Sequence, residues 1–242
     1  MDAPDQSGAQ GSVITEDGSA GPAHERVYKV LRRRILQGEM APGEALTLRG
    51  VAGELGVSMT PAREAVRRLA AEGALAMSAS GRVSAPVLSP QRIEELASIR
   101  ALLEPELAAR ALPRAHLSLI ERLRRMDEEI DAHLRGGDAA AYVRANLEFH
   151  RTLYLRAHAP AMLALAETVW LQTGPSMRAL YARIGMGRVA DYHRKAISAL
   201  AAGDEAGLRL AIREDVRQGL TLLISEGLDA ACAQLCSSSS WP

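Results

Sequence analysis

Apolar positions recur along this chain with a helical spacing that is short-range at first and long-range later. Val27, Val30, Leu31 and Ile35 follow at i, i+3, i+4 and i+8, and the run stops at Gly38. That is one face of an amphipathic helix with a glycine stop. "APGEAL" (41–46) reads as a turn. Thr47 then stands at the N-cap of a short helix with Leu48, Val51, Ala52 and Leu55, ending at Gly56. Ser58 stands likewise before a third helix, which tolerates Pro61 in its first turn and carries Ala62, Ala65, Val66 and Leu69 on one face up to Gly73. "ALAMSASGRVSAPVLS" (74–89) follows as two short extended pieces around a Ser-Gly turn, a β-hairpin by its chemistry. Helix, helix, tight turn, helix, hairpin is the order of a winged helix-turn-helix. Its third helix would offer unpaired N–H groups and Arg63 to the major groove of DNA, while the hairpin reaches an adjacent groove or backbone.

Ser89-Pro90 opens a different regime. Periodicity predicts helices over 90–111, 114–135, 138–157, 160–183, 188–202 and 204–231, joined by short loops. Gly136-Gly137-Asp138 and Ala202-Gly203-Asp204 act as stop-and-start signals. The expected fold is therefore mainly α: a leader without apolar pattern (1–22), a winged helix-turn-helix (23–89), an all-helical antiparallel bundle (90–232) and a flexible tail (233–242).

Composition narrows the setting. The chain has 242 residues, with aliphatics abundant and aromatics only 3%, which suits packed helices. No apolar run approaches the roughly 20 residues of a membrane span, and residues 1–22 lack a signal-peptide core. The two cysteines, Cys232 and Cys236, form neither a zinc framework nor a disulfide scaffold, and the expected location is the reducing cytoplasm. The formal net charge of zero hides an asymmetry. Residues 24–89 hold ten basic against six acidic side chains, the first 23 hold four acids and no base, and the rest balances. A basic segment beside a neutral body fits an anion-binding module. Phosphate-binding glycine loops and nucleophile elbows are missing from the sequence.

The bundle carries polar residues on its apolar stripes. Arg100 falls among Ile93, Leu96, Leu103 and Leu107, with Glu104 one turn away. Asn146 and His150 sit one turn apart among Val143, Leu147 and Leu153. His193 lies with Val189, Ala196, Ile197 and Leu200, and Asp215 with Leu208, Ala211, Ile212 and Leu222. Five such groups from four helices point to one interior. A lone histidine on such a stripe is usually a hydrogen-bonded core residue, but two histidines with a carboxylate are how bundles build metal or polar-ligand sites. Unpartnered burial would cost several kcal/mol each, so water, one another, or a metal with a bound anion must satisfy them. His24, His116, His133 and His158 read as surface residues, and Trp170 and Tyr181 as core or pocket wall.

Both halves resemble the GntR family of bacterial transcription regulators, in its FadR-like branch with an all-helical FCD ligand domain. "LRRRILQGEMAPGEALTLRGVAGELGVSMTPAREAVRRLAAEGAL" (31–75) follows the family pattern throughout its length, and the resemblance runs from about His24 to Leu228. It implies DNA contacts by Arg49, Ser58, Thr60 and Arg63, with a wing around Gly81 and Arg82. Met59 stands where the family commonly has an arginine that reaches a guanine edge. "NLEFH" and "DYHRKAISALAAGD" match the metal-binding FCD type, implying Asn146, His150 and His193 as ligands of a divalent metal (Zn or Ni). Asp215 in "LAIREDV" replaces the third histidine. "SIRALLEPELAARA" (98–111) matches the first FCD helix, placing Arg100 near an effector. Arg100, Asn146, His150, His193 and Asp215 are then the expected effector-binding set. The resemblance implies a homodimer on an inverted-repeat DNA operator, sensing a small organic acid, most simply as a repressor of a catabolic operon. Two other readings are a helical metalloenzyme with a DNA anchor and a constitutive architectural DNA-binding protein.

Overall fold

In a computed structural model the described residues are 21–78, 80–184 and 191–225. The expected leader (apart from residues 21 and 22), the tail, Val189, Cys232 and Cys236 lie outside them. Helix α1 (Ala23–Leu36) buries Val27, Leu31 and Ile35, with Glu25 in its first turn and Arg33 and Arg34 in its last, the charge order a helix dipole favours. Helix α2 (Leu48–Glu54) is capped by Thr47, whose Oγ1 accepts from Gly50 N at 3.0 Å. Helix α3 (Met59–Ala71) buries Ala62, Ala65, Val66 and Leu69 against α1. Ser58 occupies its N-cap position, but its hydroxyl makes no cap hydrogen bond, so the expected side-chain cap is not formed.

The turn expected over 41–46 ends in a strand. Strand β1 (Ala45–Leu46) pairs antiparallel with β3 (Val83–Ser84), which also pairs with β2 (Ala76–Met77), in the order β1-β3-β2. A two-residue strand is too short to show an alternating pattern, and its partner lies far along the chain. Val83, in the middle strand, is buried in the head's core.

The bundle begins with α4 (Pro90–Ala111), capped by Ser89. A 3₁₀ turn leads to α5 (Leu117–Gly136), then α6 (Ala139–Tyr154), whose expected last turn is 3₁₀ over Leu155–Ala157. Helices α7 (Pro160–Ile184), α8 (Tyr192–Ala202) and α9 (Glu205–Ser225) complete it. Both predicted stop-and-start signals are realised. Gly137 and Gly203 end their helices in the left-handed conformation, and the aspartates that follow them cap the next helices at Ala141 N and Gly207 N, both 2.9 Å. Helix α4 packs along α9 and also against α6 and α7, so it is the central stave of the bundle.

Head and bundle share packing. Leu171 of α7 is fully buried in the head's own hydrophobic core. Gly174 lets the end of α1 approach: a Cβ there would lie 2.4 Å from the Ile35 carbonyl oxygen. Arg178 Nη1 donates to the Gly38 carbonyl at 2.8 Å, and Gln172 Nε2 to that of Glu72 at 3.1 Å. Arg32 of α1 meets Glu167 of α7 at 2.9 Å.

Two glycine substitutions separate close approach from mere helix propensity. Gly174→Ala should destabilise the protein by about 1–3 kcal/mol, because backbone, not a flexible side chain, must move. Gly53→Ala, with nothing within 4 Å of the added carbon, should stabilise by about 0.5–1 kcal/mol. Urea unfolding of the two variants beside wild type checks both signs.

Candidate functional site

The reading head presents Ser58, Met59, Thr60 and Arg63 on exposed surface at the start of α3, with Arg49 exposed on α2. Met59 is 40% exposed although it is a large apolar side chain. The first-turn N–H groups of α3 have no intrahelical acceptor, so this end presents free donors of the kind that anions accept from. Arg49, Arg63 and Arg82 have no carboxylate partner among the described residues. Gly81, at φ 81°, turns the wing, and its N–H donates to the Ser78 carbonyl at 2.9 Å. Arg82 N donates to Ser78 Oγ at 3.0 Å, leaving its exposed guanidinium outside the turn. The basic run Arg67-Arg68 divides. Arg67 is exposed, but Arg68 lies 3.7 Å over the Tyr28 ring and pairs with Glu25 at 2.8 Å and Glu72 at 3.3 Å. It fastens α3 to α1 and is not a free backbone contact.

Inside the bundle the structure brings together three of the predicted residues. His150 Nε2 lies 3.1 Å from Asp215 Oδ2 and 3.4 Å from His193 Nε2, and His193 Nε2 lies 3.7 Å from Asp215 Oδ1. Both histidines are buried, at 1% and 7% exposure. Their tautomers follow from their partners. His150 Nδ1 is 3.1 Å from the Tyr154 hydroxyl, and that hydroxyl donates to Glu104 Oε2 at 3.0 Å. Tyr154 therefore accepts from His150, whose Nδ1 carries the proton. His193 Nδ1 faces Asp127 Oδ1 at 3.2 Å, an acceptor only, so it too is protonated at Nδ1. Phe149, the one phenylalanine, stacks on His193 with ring centroids 4.2 Å apart.

Two Nε2 lone pairs and a carboxylate thus converge on one point. Three acceptors at these distances require a cation between them, either an added proton or a metal ion. The protein's electrostatics already favour positive charge there. Burial pushes Asp215 up, yet attraction to His193, a hydrogen bond from His150 once its Nε2 carries the added proton, and more distant Arg100 outweigh it and bring it to about 2. Burial pushes His193 down, and Asp215 and Asp127 more than reverse this, raising it. A metal fits as well. Bonds of about 2.0–2.1 Å in a tetrahedral shell place ligand atoms about 3.3 Å apart, against the 3.1, 3.4 and 3.7 Å found.

Asn146, one turn before His150, is not hydrogen-bonded to this cluster. It lines a cavity of about 30 Å³ beside it, together with Arg100, Tyr142, Trp170, Tyr181 and Leu36. Arg100 is on that wall, but its charge is already matched. Its Nε and Nη2 reach Glu104 at 2.6 and 3.4 Å, leaving only Nη1 outside the pair. Glu104, fully buried, also accepts from Trp170 Nε1 at 2.8 Å. The expected wall residues Trp170 and Tyr181 are both buried, and none of His24, His116, His133 and His158 is.

Sequence reasoning overlooked Asp127, although Leu123, Asp127 and Ile130 share one face of α5. It also overlooked Tyr154, whose polar tip is invisible in an apolar-periodicity pattern.

Comparison with known proteins finds two family matches along the chain. The model for bacterial regulatory proteins of the gntR family matches residues 23–82, and that for the FCD domain matches residues 95–218. The HTH-type transcriptional regulator McbR of Escherichia coli (strain K12) is 26% identical over 204 residues, covering 83% of this chain and 92% of McbR. Its solved structure has a TM-score of 0.78 at 25% identity, covering 86% and 99% of the two chains. A probable D-xylose utilization operon transcriptional repressor of Paenarthrobacter nicotinovorans is 28% identical over 199 residues, covering 81% of this chain and 88% of that one. With the FCD match spanning half of the chain and the gntR match preceding it, the protein belongs to the GntR family of transcriptional regulators and carries an FCD domain.

Proposed function

We propose that the protein is a ligand-responsive repressor in the cytoplasm that binds an inverted-repeat operator as a homodimer and releases it when a small organic acid enters the bundle. Relatives and domain matches of regulator type support a binding protein in place of an enzyme, and a relative named as a repressor of a sugar-utilization operon supports a catabolic setting. The observation that carries the reading is the shared wall: Leu36, at the end of the head's first helix, lines the same cavity as Asn146 and Arg100. At about 30 Å³ the cavity has room for little more than a water molecule. An organic acid must enlarge it, and one of the walls it displaces belongs to the head. Effector and operator then oppose each other by the same factor in both directions.

His150, His193 and Asp215 are the proposed ligands of Zn²⁺ or Ni²⁺. A bound divalent ion would supply the positive charge that holds a carboxylate. Asp127 and Tyr154 orient the two imidazoles by accepting their Nδ1 protons, the outer contact that fixes a metal-binding histidine. Asn146, whose side chain makes no hydrogen bond among the described residues, would contact the acid directly.

Protein purified without affinity tag or chelator should contain about one zinc or nickel per chain by elemental analysis, and His193→Ala should lose it while keeping its helical circular dichroism. Metal-free wild type would leave an added proton as the cation of the cluster. Metal-loaded wild type should be stabilised by small carboxylates in a thermal-shift screen, and Asn146→Ala should bind them at least several-fold more weakly. No response to any carboxylate would remove the acid-sensing reading.

At the DNA, the exposed thioether of Met59 cannot donate to guanine O6 and N7, a bidentate contact worth roughly 1–3 kcal/mol of discrimination. It can pack on a thymine methyl. Selection of binding sites from random DNA should yield a different base pair at that position for wild type and for Met59→Arg, the latter favouring guanine. Arg63→Ala should lose specific binding. Identical preferred sites from wild type and Met59→Arg would show that residue 59 does not face the bases.

A further inference from the structure

A second, larger hollow adjoins the small cavity. It lies between α1 of the head and helices α6 and α7 of the bundle and encloses about 360 Å³, within the usual range of small-molecule pockets. Leu36, Leu147 and Trp170 line both spaces, so the two meet at those three side chains. Its charged lining is lopsided: Lys29, Arg32, Arg33, Arg144 and Arg151 against Glu148 and Glu167. Glu167 is already held by Arg32 at 2.9 Å and Arg151 at 3.1 Å. Glu148 lies 3.9 Å from Arg122 of α5. Lys29, Arg33 and Arg144 make no salt bridge with a carboxylate among the described residues, although Arg144 is close enough to Asp138, at the start of α6, to help hold that carboxyl below its usual range. Three cations outside any salt bridge line one concave space, and a dianion between them would offset their mutual repulsion.

We propose that this hollow receives a phosphate group on the far end of the effector, whose carboxylate occupies the inner cavity. The proposal rests on the acid-sensing reading above and sharpens it to a phosphorylated acid. Arginine suits a phosphate because its forked donors match two oxygens at once. The placement also gives the phosphate a mechanical role. Lys29 and Arg33 belong to the head and Arg144 to the bundle, so one anion bridges the two. The opposite face of α1, through Val27, Leu31 and Ile35, packs in the core that holds α3. A pull on α1 therefore reaches the recognition helix.

The test uses the full chain and four probes at constant ionic strength: glycerate, 3-phosphoglycerate, gluconate and 6-phosphogluconate, with inorganic phosphate alone as a fifth arm. Thermal shifts should show at least one phosphorylated acid half-saturating wild type at a concentration ten-fold or more below its parent acid. In the double variant Arg33→Ala/Arg144→Ala both members of the pair should bind alike. These two side chains are exposed, and an unchanged melting temperature without ligand confirms that the variant folds. Equal half-saturation of each pair in wild type overturns the proposal, as does an advantage that survives in the double variant. If no acid acts but inorganic phosphate stabilises wild type and not the double variant, the acid-sensing reading fails while the hollow stands as an anion site. If phosphate is also inert, both fail. A loss of operator affinity in unliganded Arg144→Ala would assign these cations to the DNA backbone and overturn the proposal.

Discussion

The buried carboxylate of Glu104 is the contact on which the rest of the bundle's chemistry hangs. Its two oxygens accept from Arg100 on its own helix, Tyr154 on α6 and Trp170 on α7. A carboxylate at 0% exposure is tolerable only with such a complete set of donors, because an uncompensated buried charge costs several kcal/mol. The same contact passes information outward. By accepting from Tyr154 it makes that hydroxyl an acceptor for His150, which sets the imidazole's tautomer and aims Nε2 at Asp215 and His193. Asp127 does the equivalent for His193. The reactive point of the cluster is thus defined one residue back from where it is seen.

This network also pairs Arg100, the attraction that the sequence suggests for an acid, with a carboxylate of its own helix. Glu104 neutralises it, and the two imidazoles around the Asp215 carboxylate form a set of acceptors that draws a cation to itself. The cation-binding group thus lies at the junction of α6, α8 and α9, while Arg100 stands as a wall of the neighbouring cavity.

Much of this was legible before any coordinates. Helical spacing and glycine stops located the helices of the head, and the paired Gly-Asp signals placed α5–α6 and α8–α9 because each residue there has a distinct backbone or capping task. His150, His193 and Asp215 stood out because a polar residue on an apolar stripe violates a strong local rule. Besides the polar tip of Tyr154, three things did not show. β1 is defined by pairing with residues about forty positions away, which no local pattern encodes. Asp127 obeyed the same rule-breaking logic, but its helix has a wide apolar face flanked by acids, which masked it. The division of labour between Arg67 and Arg68 depends on which side of α3 faces Tyr28, a tertiary matter. Spacing alone assigns both to a basic run.

Leu171 belongs by sequence to the bundle and by packing to the head, and Gly174 is small for the sake of a carbonyl on α1. The seam between the two halves at residues 89–90 is therefore a seam in the chain and not in the core. Exchanging heads between related regulators at that point would leave the incoming head with another protein's Leu171 pocket. A graft that kept its stability would have to carry the facing surface of α7 along with residues 23–89, although the two are separated by some eighty residues of sequence. Heads and bundles of this design can diversify as genes are recombined only where that one helical face already agrees.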